Sequence, residues 1–93
     1  MFFSEETIDK IAEYAADLTP VSEIAAMLDI NEDALRLALS DSGSRVRHAY
    51  MKAKATTAHA LRRQEIEFAR VGSPLAVQLT AGYLREMTAD EDF

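Results

Sequence analysis

Ninety-three residues, 48% of them hydrophobic and only five of them glycine or proline, make a helix-forming chain of one small domain or one domain with an appended assembly element. The absence of cysteine excludes disulfides and thiolate metal sites, and no apolar run approaches the roughly 20 residues that span a bilayer. The net charge of −6 argues against nucleic acid when taken whole, but it is spread as −8 over residues 1–43, +5 over 44–71 and −3 over 72–93.

Ser4 is placed to cap a first helix, with Glu5 and Glu6 in its first turn, where the helix dipole favours negative charge. Ile8, Ile11, Ala12, Ala15 and Leu18 follow helical spacing and are expected to form one buried stripe. Thr19-Pro20 ends this helix and opens a second, whose Val21, Ile24, Ala25 and Leu28 share a face up to about Asp29. Asn31 caps a third helix, with Leu35, Ala38 and Leu39 turned inward. Asp41-Ser42-Gly43-Ser44 is the clearest loop signal in the chain.

From Arg45 to Val71 nothing interrupts a fourth helix. Turning each residue by about 100° gathers Val46, Tyr50, Ala53, Thr57, Ala60, Leu61, Gln64, Phe68 and Val71 on one side, in steps of three and four. Arg45, His48, Lys52, His59, Arg63 and Arg70 collect on the opposite side. The expectation is a packing seam backed by a basic stripe. Gly72-Ser73-Pro74 then supplies a helix end, an N-cap and a first helical residue in succession. The fifth helix runs to about Met87, with Leu75, Ala76, Leu79, Tyr83 and Met87 on one side and Val77, Ala81 and Leu84 on the other. A helix apolar on both sides is expected to be buried on both, and so short a chain implies other subunits as the cover.

Val21 to Ala38 carries the pattern of a helix-turn-helix. Ile24-Ala25 pairs a large residue with a small one that allows close approach, Leu28 and Ile30 bracket the turn, and Leu35 and Ala38 anchor the second helix. Asp29 stands where such turns usually have glycine, and aspartate tolerates the left-handed conformation better than most residues. The outward residues of the second helix are Asn31, Glu32, Asp33, Arg36 and Ser40; of these Asn31 and Arg36 have base-reading chemistry, while Glu32 and Asp33 suit the helix dipole.

Three further stretches follow that motif in order. They are Ser44-Arg45-Val46-Arg47-His48-Ala49-Tyr50-Met51-Lys52-Ala53-Lys54-Ala55, Leu61-Arg62-Arg63-Gln64-Glu65-Ile66-Glu67-Phe68-Ala69 and Gly72-Ser73-Pro74-Leu75-Ala76-Val77-Gln78-Leu79. Over about residues 20–87 this order and spacing resembles the small terminase subunits of tailed phages and related prophage proteins. Ser73, Leu79 and Gly82 depart from the family's usual asparagine, aromatic residue and lysine. The resemblance implies a protein of the bacterial host cytoplasm that recognises double-stranded DNA for packaging. It further implies a homo-oligomer that forms a ring through its helical hairpin, and a large ATPase–nuclease subunit as a partner.

The layout expected is therefore all-α: a three-helix helix-turn-helix domain over 1–43, a helical hairpin for oligomerisation over 44–88, and a disordered acidic tail over 89–93. DNA contact is assigned to Asn31, Arg36, Ser40, Arg45, Arg47, His48, Lys52, Lys54, His59, Arg62 and Arg63. No acid occurs from Ser42 through Gln64, and such a stretch favours phosphate. Oligomerisation is assigned to Val46, Tyr50, Leu61, Phe68, Val71, Leu75, Leu79, Tyr83, Leu84 and Met87. An assembly adaptor without DNA binding, its basic stripe paired with acidic surfaces, remains the alternative. The sequence offers no enzyme and no cofactor: His48 and His59 lie about 16 Å apart along one helix, too far to share a metal, and no glycine-rich phosphate loop is present. Met27, Met51 and Met87 are expected as packing filler rather than ligands.

Overall fold

A computed structural model describes residues 3–92, which form five α-helices and no strand. They are α1 (Glu5–Ala16), α2 (Val21–Leu28), α3 (Glu32–Ser40), α4 (Arg45–Arg70) and α5 (Pro74–Asp90). The chain divides into two compact units, Met1–Thr57 and Ala58–Phe93, and the division falls inside α4. Sequence reading placed the boundary in the 41–44 loop; the first half of α4 instead belongs with α1–α3, for reasons of packing given below.

The starts of α1, α3 and α5 are capped as their sequences direct, whereas α2, entered at Pro20, has no side-chain cap. Ser4 Oγ accepts from the Thr7 amide at 3.1 Å, Asn31 Oδ1 from Ala34 at 2.8 Å and Ser73 Oγ from Ala76 at 3.3 Å. Three helix ends share one geometry. The amides of Thr19, Ile30 and Ser73 reach back to the carbonyls of Tyr14, Ala25 and Phe68, closing the ends of α1, α2 and α4. In each case the preceding residue is left-handed: Leu18 at φ 59°, Asp29 at 54° and Gly72 at 95°. Leu18 is thereby removed from the buried stripe expected of it. It lies beyond α1 and is 47% exposed.

The core of the first unit is Ile8, Ile11, Ile24, Ala25, Leu35 and Val46, with Leu28, Ile30, Leu39 and Tyr50 among the half-buried residues around it. Ile11, Ile24 and Leu35 are fully enclosed, each worth about 1.5–3 kcal/mol relative to exposure. Two ties fix α1 along the first half of α4. Arg45 pairs with both carboxylate oxygens of Glu5, and Thr57 Oγ1 donates to the Ala16 carbonyl at 2.6 Å. The residues joined are 40 and 41 apart in sequence, so the two stretches run parallel in a constant register. Val46 (4% exposed) and half-buried Tyr50 are therefore part of this unit's own core, which corrects their assignment to oligomerisation.

In the second unit Ala76 is buried, at 2% exposure, and large apolar side chains are open to solvent. Helix α5 continues to Asp90, so Ala89 and Asp90 are helical rather than part of a disordered tail; Glu91 and Asp92 follow the helix, and Phe93 lies outside the described residues. No helix among the described residues is long and apolar enough to cross a membrane.

Candidate nucleic-acid interface

In the first unit, α2 and α3 are joined by Asp29-Ile30-Asn31, a turn closed at one end by left-handed Asp29 and at the other by the Asn31 cap. Leu35 is driven to 0% exposure against Ile24 and Ala25, which turns Glu32, Asp33, Arg36, Leu37 and Ser40 to solvent. Arg36 does not project alone: its Nε donates to Glu32 Oε2 at 2.9 Å, one helical turn back. Ser40 Oγ is turned onto its own helix, donating to the Leu37 carbonyl at 2.7 Å. Leu37 is 74% exposed, a large apolar side chain on an otherwise polar face.

The basic residues at the start of α4 divide into engaged and open. Arg45 is spent on Glu5. Arg47 Nη1 donates to the Leu39 carbonyl at 2.7 Å, satisfying the C-terminal end of α3 and tying it to α4. His48, Lys52 and Lys54 are exposed and have no ion-pair partner among the described residues. The unit as a whole carries ten acids against six lysines and arginines, a net −4, so any phosphate contact must be local rather than a property of its overall field.

No protein-family model, curated protein or solved structure matches the chain.

In the second unit the remaining candidates are His59, Arg62 and Arg63, all exposed. Arg62 is engaged twice, with Nη2 3.5 Å from Glu86 Oε2 and its guanidinium 5.4 Å from the centre of the Tyr83 ring. Arg63 has no such partner among the described residues. Beside Arg62 an open groove of about 660 Å³ runs past Ile66, Tyr83, Leu84 and Met87. Of the residues expected at an assembly surface, Leu61, Phe68, Val71, Leu75, Leu79, Leu84 and Met87 are exposed, from 40% at Leu79 to 82% at Val71. Met27, Met51 and Met87 are 44–63% exposed and do not fill a core within their own units.

Among the described residues no grouping of three or more histidine, aspartate or glutamate side chains has the proximity to hold a metal ion. Sequence reading missed three contributors: Glu32 as the partner of Arg36, Leu37 as an exposed apolar residue of α3, and Thr57 as the tie to α1. The first was legible, because glutamate four residues ahead of arginine is the favourable order on a helix. The other two depend on which neighbours tertiary packing brings.

Proposed function

We propose that the chain is a DNA-binding, oligomer-forming protein of the small-terminase type, with the Met1–Thr57 unit as a helix-turn-helix module and the Ala58–Phe93 unit as an assembly element. The observation that carries the DNA reading is the α2–α3 pair: a three-residue turn entered through left-handed Asp29, which leaves one face of α3 open for a groove. Lys52 and Lys54 supply phosphate contacts from α4, beside exposed His48. The assembly reading rests on the large apolar side chains that the second unit leaves exposed, from Leu61 through Met87.

A second reading has an observation of its own. The open face of α3 begins with Glu32 and Asp33, and exposed Leu37 suits a protein surface better than a sugar–phosphate backbone. On that reading the module is an adaptor that docks on protein. Light scattering and fluorescence anisotropy with a labelled duplex, at about 50 and 200 mM salt, separate the two. The DNA reading expects an oligomer that binds at the lower salt and releases steeply at the higher. An oligomer that ignores DNA at both salts favours the adaptor, and a monomer at all concentrations removes the assembly claim.

A further inference from the structure

We infer that Arg36 reads a guanine edge and that Glu32 is the positioning residue that aims it; this rests on the DNA reading above. Arginine recognises guanine by two parallel hydrogen bonds to O6 and N7, which requires a pair of nitrogens from a planar fork held at a fixed angle. Arg36 is about half exposed on the open side of α3, and its contact with Glu32 uses Nε alone. Among the described residues the two Nη nitrogens carry no hydrogen bond. The guanidinium is thus anchored at its root and open at its tip. Anchoring removes rotamer freedom that an unrestrained arginine would lose on binding. No other charged partner on α3 competes for it: the remaining acid of the exposed first turn, Asp33, makes no ion pair among the described residues. Asn31, the other side chain with base-reading chemistry, is held by its Oδ1 at the cap through the Ala34 amide, so reading adenine would require that oxygen to accept a second hydrogen bond in the cap geometry.

Glu32 also brings a negative charge towards phosphate, so its removal has two effects of opposite sign. Loss of the anchor lowers discrimination, while loss of the charge raises affinity for DNA of any sequence. A purely structural residue would produce neither.

The experiment is selection of random 20-base-pair duplexes by the full-length protein, with sequencing of the bound pool, alongside anisotropy on the unselected pool. Wild type is expected to enrich guanine at one position, and Arg36→Lys, which keeps the charge but loses the fork, to abolish that enrichment. Glu32→Ala should weaken the enrichment several-fold while binding the unselected pool about two- to threefold more tightly, the scale of one exposed charge interaction. Greater enrichment in Glu32→Ala overturns the inference by making Glu32 a competitor, and unchanged enrichment overturns it by making the contact incidental. Wild type that binds duplexes without base preference overturns the inference and leaves the DNA reading standing. Failure of wild type and both variants to bind any duplex removes the two together.

Discussion

Leu18 and Asp29 occupy the same backbone conformation at equivalent helix ends, but they are not equally suited to it. A β-carbon followed by a branched apolar chain is poorly tolerated at φ 59°, whereas aspartate is among the residues that visit the left-handed region most readily. Leu18→Gly is expected to raise unfolding stability by about 0.5–1 kcal/mol, and Asp29→Gly by less, as read by urea titration. A fall in stability for Leu18→Gly would mean that its partly covered side chain contributes more through packing than the backbone costs. At the same scale, Asn31→Ala removes the acceptor of the Ala34 amide and should lower stability by about 1 kcal/mol. These positions differ in how plainly the sequence speaks. Asn31, Ser73 and Gly72 act where local chemistry alone puts them. Leu18 has the right spacing for the buried face of α1 and is excluded only because the chain must turn before Pro20, a competition that periodicity does not register.

For whole elements, α4 shows where reading by period stops. Its apolar stripe is continuous in sequence, and the structure gives its two halves different roles. Val46, Tyr50, Ala53 and Thr57 are buried or half-buried in the first unit, while Ala60, Leu61, Gln64, Phe68 and Val71 are exposed in the second. A helical period identifies a face that wants cover without saying which partner supplies it. The basic residues divide for a similar reason. Charge is legible residue by residue, but the engagement of Arg47 with the Leu39 carbonyl and of Arg45 with Glu5 depends on tertiary neighbours. Thr57→Val leaves the Ala16 carbonyl without its donor and should cost about 1 kcal/mol by denaturant melting. By contrast, disrupting the exposed Glu5–Arg45 pair should cost no more than about 1 kcal/mol and lose even that in high salt. In α5, a β-carbon added at Gly82 would meet, among the described residues, Arg85 Nη2 at an ordinary 3.7 Å, so Gly82→Ala should stabilise the helix by about 0.5–1 kcal/mol. A destabilised variant, measured in the assembled protein, would indicate that a neighbouring subunit approaches the helix at this point.

At the scale of the molecule, the two units carry their apolar residues in opposite ways. The first encloses Ile11, Ile24 and Leu35 completely, whereas the second leaves Leu84 and Met87 more than 60% exposed on the helix that follows its turn. Charge placed there should therefore separate assembly from folding. Leu84→Glu with Met87→Glu is expected to shift the sedimentation coefficient to that of a monomer while the unfolding of the first unit is unchanged. An intact oligomer in that variant would move the assembly surface elsewhere. The all-α class and the five helices were legible in the sequence because caps, breakers and periodicity agree along the chain. The position of the division between units was not, since it follows from α1 lying along α4.

That parallel alignment also orders events in time. The α2–α3 pair joins neighbours in the chain, whereas each tie between α1 and α4 closes a span of 40 or 41 residues. Mutational effects on folding rate should therefore be largest around the α2–α3 turn, and Thr57→Val should act almost wholly on unfolding. On the ribosome, Ile8, Ile11 and Ile24 are made well before Val46 and Tyr50, which complete their enclosure. Until then the nascent chain presents an unfinished apolar wall, the period in which a chaperone or a mispaired helix would find it.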